Sequence, residues 1–282
     1  MGKTTKIWLV IAIFLVIIGC IIFGGAMTVT KWDFKKLSTV KYESNEYEIN
    51  EIFRNISIET DTADIKLTLA ADGKCRVECY EEQKAKHSVT VEDDTLTIKV
   101  LDEKAWYDHI GIHIGTPKLT IYLPKAEYAA LYIKESTGKI HVQNISAGEL
   151  DFTTTTGEVQ LANVICEGNI NIDVSTGKVN LTDIQCKNLT SKGSTGNIIM
   201  TNVVATEKFS IKRSTGNVNF EDSDANEILV ETSTGNVKGT LLTDKVFITH
   251  TDTGRVNVPK SVTGGKCEIS SDTGNIKIEV IS

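Results

Sequence analysis

The chain repeats one short pattern eight times, at a spacing of 19 or 20 residues. Every copy contains a Thr-Gly pair, and the pairs are Thr137-Gly138, Thr156-Gly157, Thr176-Gly177, Thr195-Gly196, Thr215-Gly216, Thr234-Gly235, Thr253-Gly254 and Thr273-Gly274. A fixed period of this length is typical of solenoids, in which each repeat forms one coil and buries its apolar face against its neighbours. The repeat therefore constrains the fold more strongly than composition does.

Each period contains two short strands. Apolar side chains stand two and four residues after the glycine, as Val159 and Leu161 do, and again seven and five residues before the next one, as Ile170 and Ile172 do. Spacing by two indicates strands with one buried face. Single positions recur as well as apolarity, which favours an all-β, parallel β-solenoid (β-helix) with ~20-residue coils. An antiparallel meander, with one hairpin per period, is the alternative.

Two further rows of residues mark turns. Asn or Asp stands six residues after five of the glycines, which predicts ladders of stacked amides, at Asn144, Asn163, Asp183, Asn202 and Asp222. Small residues stand nine after the glycine and suit a tight corner, at Ala147, Cys166, Cys186, Ala205 and Ala225. We expect the glycine itself to occupy another corner at positive φ, where a Cβ would clash.

An uncharged run of 24 residues, 7–30, precedes the repeats. It is long enough to cross a bilayer as a helix, and Trp8 and Trp32 lie near its ends, where interfacial aromatic residues belong. We predict a single-pass transmembrane helix after a cytoplasmic tail, residues 1–6. Residues 17–20 resemble a lipobox and residues 24–26 resemble a signal-peptidase site, so two processed forms are alternatives. The run is longer than the apolar region of an ordinary signal peptide, which favours an uncleaved anchor.

The repeats are predicted to lie outside the cell. Lysines after the span would favour the reverse orientation, but an apolar segment behind a short basic tail is the usual export signal, and long domains translocate largely regardless of charge. Residues 31–49 are predicted to be a tether and residues 50–130 irregular β coils that cap the solenoid. Ala63 takes the place of the glycine in the first, degenerate coil. Residues 131–282 are the regular solenoid repeats.

The charge distribution disfavours one class of partner. The net charge is −7, and residues 1–36 carry five Lys and one Asp, which leaves −11 on the remainder. An acidic body argues against nucleic acid and anionic surfaces as partners, because binding to these polyanions depends on Lys and Arg.

Four sequence stretches resemble a known family. They are KLSTVKYE, NISIETDTADIKL, LTIYLP and the recurring STG-x-[IV]. On these motifs the chain resembles the bacterial putative-adhesin family of β-strand-repeat proteins of unknown function. The resemblance covers almost the whole chain and implies a β-helix of the pectin-lyase type, an envelope location and usually a Gram-positive host. The motifs are structural, so the resemblance implies no catalytic, cofactor-binding or metal-binding residue.

The cysteines offer two candidate pairs. Cys75 and Cys79 lie four residues apart on one strand, roughly 13 Å, which is too far for a disulfide. They share a face with Val77, so we predict buried thiols. Cys166 and Cys186 occupy equivalent positions in adjacent coils, within disulfide range. Either they form a disulfide or they replace Ala in the small-residue row.

Two further pairs could bind metal. His109 and His113 alternate with isoleucines such as Ile110, which indicates a strand and separates the two rings too far to share an ion. Asp252 and Asp272 stack in the last coils and could bind calcium, but two acids supply few ligands, which favours an exposed polar column. We therefore predict no metal and no cofactor.

These observations favour a non-enzymatic, membrane-anchored extracytoplasmic module, an adhesin or envelope scaffold with a glycan or protein partner. One alternative is a structural protein that self-associates through its C-terminal coil, because Ile276, Ile278 and Val280 would form an unpaired strand edge. The second is a carbohydrate-active β-helix enzyme. The uniform period leaves no long insertion to build a catalytic cleft, and no nucleophile elbow or phosphate loop is present.

Overall fold

A computed structural model describes residues 2–106 and 114–281. These residues form an α-helix, a short 3₁₀ helix and eighteen strands. The elements are α1 (Lys3–Val29), η1 (Phe34–Leu37), β1 (Tyr42–Ile49), β2 (Asn55–Glu59), β3 (Asp64–Leu69), β4 (Cys75–Glu82), β5 (Ala85–Glu92), β6 (Thr95–Asp102), β7 (Lys118–Leu123), β8 (Glu127–Gln143), β9 (Ser146–Cys166), β10 (Asn169–Thr176), β11 (Val179–Thr195), β12 (Ile198–Thr215), β13 (Val218–Thr234), β14 (Val237–Leu241), β15 (Lys245–Thr253), β16 (Val256–Asn257), β17 (Gly265–Thr273) and β18 (Ile276–Val280).

The strands coil into a parallel β-solenoid. One face runs β5–β6–β2–β8–β9–β10–β11–β12–β13–β17–β15. The other runs β1–β4–β7–β3–β8–β9–β11–β12–β13–β14–β18–β16. From β8 onward all pairs are parallel, and equivalent threonines pair, as Thr195 does with Thr215. The predicted solenoid is confirmed, and the meander is wrong.

A single apolar core fills the solenoid. The inward positions chosen from the repeat are buried, among them Val159, Leu161, Ile170 and Ile172, and the core extends without a break from Ile56 to Ile278. Burying one such side chain stabilises the fold by about 1.5–3 kcal/mol. Because each coil supplies apolar residues to both neighbours, the stability of one coil depends on the next.

The Thr-Gly corner requires glycine because neighbouring coils approach closely there. Gly196 has φ 135°, and a Cβ on it would lie 1.8 Å from the carbonyl oxygen of Gly177. Gly157 is not at positive φ, yet a Cβ there would lie 1.7 Å from the Gly138 carbonyl oxygen. The predicted clash is confirmed, and close backbone approach causes it at every corner of this kind.

The left-handed turns are formed by the Asn and Asp row instead. These five residues have φ between 49° and 59°, at Asn144, Asn163, Asp183, Asn202 and Asp222. Asn and Asp tolerate this conformation better than other residues with a Cβ. The row was predicted to form an amide ladder, but among its five members the structure has one such hydrogen bond, from Asn202 Nδ2 to Asp183 Oδ1 at 2.6 Å. The left-handed backbone conformation of these turns therefore accounts for the Asn and Asp residues in this row.

The N-terminal end is closed by antiparallel strands. β2 and β3 form a complete coil, and Thr62 pairs with Thr137, so Ala63 stands at the glycine position as predicted. Beyond this coil, β4 runs antiparallel to β7 and β1, and β5 runs antiparallel to β6. Strand β1 corrects the predicted tether over 31–49, because residues 42–49 pair with β4 along their whole length and only the segment before them connects to the helix.

The C-terminal end differs from the prediction. Strand β17 lies between β13 and β15, and β18 pairs with β14 along its length and with β16 at Ile276 and Lys277. The predicted unpaired edge is therefore wrong at Ile276 and Lys277, whereas residues 278–280 pair with β14 alone, and the terminal coil in space is β15–β16. Apolar burial explains this order. Ile269 is buried in the inserted coil, whereas its counterpart Thr249, in the terminal coil, remains half-exposed.

Candidate functional site

The N-terminal cap contains a buried polar cluster. Strand β4 points Cys75, Val77, Cys79 and Glu81 inward, so its buried face changes from apolar to ionisable towards its end. The hairpin to β5 then returns the chain and places His87 against Glu81. The carboxyl of Glu81 is fully buried, and His87 is 4% exposed. This is the densest group of metal-ligating side chains among the residues that the structure describes.

Hydrogen bonds fix the side chains of both Glu81 and His87. Glu81 Oε2 accepts from the backbone N–H of His87 at 2.6 Å and lies 2.7 Å from His87 Nδ1. Glu81 Oε1 accepts from Asn45 Nδ2 at 2.7 Å. The second ring nitrogen, His87 Nε2, lies 3.0 Å from Thr60 Oγ1. Residues from other segments therefore hold the pair in place. Asn45, in β1, contacts Glu81, and Thr60, in the turn after β2, contacts His87.

Cys79 completes the cluster as a protonated thiol. Burial, together with the nearby charge of Glu81, raises the pKa of Cys79 to about 12. Reactive cysteines have a lowered pKa, so this thiol is not an activated nucleophile. A sulfur atom of Cys79, an oxygen of Glu81 and a nitrogen of His87 lie within 4.8 Å of one another.

A cleft of about 270 Å³ adjoins the cluster. Its walls include His87 and Thr60 together with charged residues, among them Asp61, Asp102 and Lys104. Lys104 Nζ lies 2.6 Å from the carboxylate of Glu82. Of the three cluster residues, His87 is the one that lies in the wall of this cleft.

The Thr-Gly corners form a second candidate surface, which we call the corner ridge. Nine exposed threonines stack along it at roughly 4.8 Å per coil, or about 38 Å in total. In spatial order they are Thr62, Thr137, Thr156, Thr176, Thr195, Thr215, Thr234, Thr273 and Thr253.

An asparagine ladder runs beside the threonines, one residue after the glycine. The side-chain oxygens of Asn197, Asn217 and Asn236 each accept from the backbone N–H of the equivalent asparagine in the next coil, at 2.8–2.9 Å. Asn275 accepts from Arg255 in the same way at 2.9 Å. The sequence analysis predicted a ladder at a different position in the coil. The signal for the real one was the recurrence of asparagine directly after four of the glycines.

Two ionisable side chains are buried inside the solenoid, each three residues before a corner glycine. Arg213 is 2% exposed and fills space that Gly193 leaves open, where Nη2 donates to Ser191 Oγ at 3.1 Å and Nη1 donates to the Val174 carbonyl at 3.5 Å. Burial lowers the pKa of Arg213 to about 10. The second group is Glu135, which is buried nearer the N-terminal end. Ser191 was the sequence signal for the arginine, because it replaces an apolar residue five positions before the glycine.

A buried ion pair lies near the C-terminal end. Lys245 Nζ is 2.7 Å from Asp224 Oδ1, and Thr243 Oγ1 donates to Asp224 Oδ2 at 2.6 Å. Both charged side chains are under one-tenth exposed. The pair connects β15 of the terminal coil to β13, across the inserted coil, so its position indicates a structural role.

The structure also places the cysteines named in the sequence analysis. Cys75 and Cys79 are buried free thiols beside Val77, as predicted. Cys166 and Cys186 are free thiols, buried in the row of small residues. Of the two alternatives, a disulfide or a replacement of Ala, the structure therefore supports the replacement.

Of the predicted metal pairs, His109 and His113 lie outside the described residues. Asp252 and Asp272 lie side by side in β15 and β17, both exposed, and Asp252 Oδ1 is 2.9 Å from His250 Nε2. The sequence analysis missed the cluster at Glu81 and His87.

The chain is similar to solved structures of three bacterial proteins. A putative lipid binding protein from Parabacteroides distasonis ATCC 8503 is 14% identical with a TM-score of 0.51, covering 86% of this chain and 98% of its own. A putative adhesin from Bacteroides fragilis NCTC 9343 is 16% identical with a TM-score of 0.40, covering 85% and 97%. A putative adhesin from Parabacteroides merdae ATCC 43184 is 15% identical with a TM-score of 0.44, covering 85% and 96%.

No curated protein matches the chain. The family described as Toastrack DUF4097 matches residues 53–280, from the segment before β2 to the end of β18. This match includes the corner ridge, the inserted coil and the cap apart from β1, and the chain therefore belongs to the Toastrack DUF4097 family.

Proposed function

We propose that this protein is a non-enzymatic, single-pass membrane protein that displays its β-solenoid outside the cell as an adhesin or envelope-binding module. The observation that carries the proposal is helix α1. The side chains from Thr4 to Phe23 are all exposed, although most of them are apolar. The candidate span Thr4–Val29 has 26 residues, roughly 39 Å of helix, which exceeds the ~30 Å of a bilayer core. Lipid would cover this apolar surface.

The connection to the helix supports a defined orientation of the solenoid. Twelve residues separate Val29 from Tyr42, the first residue of β1, and they span at most about 40 Å. Strand β1 belongs to the antiparallel cap. The cap would therefore face the membrane, and the terminal coil β15–β16 would be the end farthest from the bilayer.

The exposed surface supports binding more than catalysis. The corner ridge offers hydroxyl groups at a regular spacing, which suits an envelope glycan or a protein partner. The Cys79 thiol in the cap is protonated, and the solenoid repeats carry no long insertion that would form a catalytic cleft. The solved structure with a TM-score of 0.51 carries the name of a putative lipid binding protein, in keeping with a binding role.

Protease treatment of protoplasts tests the proposal. External protease should remove the solenoid and leave a small membrane stub that contains residues 1–6, because the tail lies in the cytoplasm. Lysed protoplasts serve as the control, in which the tail also becomes accessible. Full protection of the solenoid in intact protoplasts would contradict the proposed orientation.

Self-association is a second candidate function, and the open edge of β15 favours it. Among the described residues, β15 pairs on one side only, with β17. An unpaired edge is a template for another strand. Sedimentation of the protein across concentrations would detect it, and a mass that stays monomeric at every concentration would remove this candidate.

A further inference from the structure

We infer that Cys79, Glu81 and His87 form a zinc site that ties together the strands of the N-terminal cap. The site does not depend on the proposed function. The three residues offer sulfur, carboxylate oxygen and imidazole nitrogen within 4.8 Å of one another. These are the ligand types that zinc prefers, and three protein ligands plus one water are a common zinc coordination.

The backbone brings the three ligands together without distortion. Cys79 and Glu81 are two residues apart and therefore point to the same face of β4. His87 follows the tight hairpin from β4 to β5, and its backbone N–H already donates to Glu81 Oε2. An ion here would connect two segments that otherwise pair through one register position, Glu82 with Ala85.

The second layer of hydrogen bonds orients the ligands as zinc sites require. Zinc-bound histidines donate their other ring N–H to an oxygen, and coordinating carboxylates are held by further hydrogen bonds. Thr60 Oγ1 lies 3.0 Å from His87 Nε2, and Asn45 Nδ2 donates to Glu81 Oε1. The remaining atoms, His87 Nδ1 and Glu81 Oε2, face each other at 2.7 Å.

Zinc would replace the hydrogen bond between Nδ1 and Oε2. Ligand atoms on tetrahedral zinc stand roughly 3.3 Å apart or more, so these two atoms must separate by about half an ångström. When zinc binds, the Cys79 thiol releases its proton to solvent, and His87 binds the ion through Nδ1 as the neutral tautomer that carries its proton on Nε2, facing Thr60 Oγ1. A thiolate, a carboxylate and a neutral imidazole around Zn²⁺ then give a cluster with no net charge.

Charge supports the site as well as geometry. A fully buried carboxylate is costly without a compensating charge, and the donors to Glu81 are the Asn45 amide and the backbone and ring of His87. A divalent ion would supply that compensation. The adjoining cleft, with His87 and Thr60 in its wall, provides the entry path and the fourth, water ligand.

Cobalt provides the test, because a thiolate–Co²⁺ bond produces a charge-transfer absorption band that histidines and carboxylates alone do not. The untagged full chain, metal-stripped in detergent, should develop this band with one equivalent of Co²⁺ and lose it when Zn²⁺ is added. Cys79→Ser should abolish the band. Cys75→Ser, at a buried thiol on the same face of β4, is the matched control and should retain it. His87→Asn should weaken Co²⁺ binding at least tenfold.

Folding of the variants is checked by circular dichroism. If Cys79→Ser does not fold, Zn²⁺ should still raise the Tm of the wild type and of Cys75→Ser, and should raise it less in His87→Asn. The inference is overturned if the wild type shows no band and no Zn²⁺-dependent rise in Tm. A band that survives in Cys79→Ser, or that is lost equally in Cys75→Ser, also overturns it. In that case the cluster is held by hydrogen bonds alone.

Discussion

Glu135 should make the stability of the solenoid depend on pH. Its side chain is 3% exposed, and neither carboxylate oxygen has a hydrogen-bond partner of good geometry among the described residues. Burial raises the pKa of Glu135 from 4.5 to about 7, although the neighbouring Thr154 hydroxyl acts in the opposite direction. The folded chain therefore keeps a proton that the unfolded chain releases.

The sign and size of the effect follow from these two pKa values. Below pH 4.5 the carboxyl is protonated in both states, and its contribution to stability is fully present. As pH rises towards about 7, the unfolded state ionises first, and the contribution is lost. At about 1.4 kcal/mol for each pH unit between the two pKa values, the loss is about 3 kcal/mol.

Urea unfolding between pH 4.5 and pH 8 measures this loss. Glu135→Gln removes the ionisable group, so the variant should match the wild type near pH 4.5 and exceed it by about 3 kcal/mol at pH 8. Glu167→Gln, at an exposed glutamate in a turn of the repeats, is the control and should follow the wild type throughout. Parallel curves for Glu135→Gln and the wild type would refute the reasoning.

Two further predictions concern coil geometry. Gly196→Val should cost more than about 3 kcal/mol, because a Cβ there meets the Gly177 carbonyl oxygen at 1.8 Å, whereas Thr195→Val, at an exposed site, should cost under about 1 kcal/mol. Equal urea midpoints would contradict this. Removing residues 265–282 should make the amides of 245–257 exchange rapidly, because β15 loses its partner β17. Protection that persists there would show that the terminal coil does not depend on the inserted one.

The sequence predicted the coil because single positions recur. Val159 and Ile172 could be placed in the core, and Ala63 at a corner, since each has equivalents in other coils. The same rows did not reveal why a residue type recurs. Asn202 and its equivalents suggested stacking, but left-handed backbone geometry accounts for them.

The order of the last coils could not be predicted, because the coil β15–β16 and the coil β17–β18 both match the repeat. Periodicity identifies a coil but does not say which coil lies beside it. The difference is energetic. Burial of Ile269 and Ile278 between two coils stabilises the fold, whereas partial exposure of Thr249 at the end of the solenoid costs little free energy. Nor was the cluster at Glu81 and His87 predictable, because it lies in antiparallel hairpins outside the repeat, with no equivalent positions to compare.

Labelling of single cysteines on protoplasts tests the display of the solenoid most directly. Native cysteines do not interfere, because five are buried and Cys20 lies in the proposed membrane span. A membrane-impermeant maleimide should label Lys212→Cys, on the exposed face of β12, in intact protoplasts. It should label Lys6→Cys, in the tail, only after lysis. Labelling of Lys6→Cys in intact protoplasts, with Lys212→Cys protected until lysis, would contradict the proposal that the solenoid lies outside the cell.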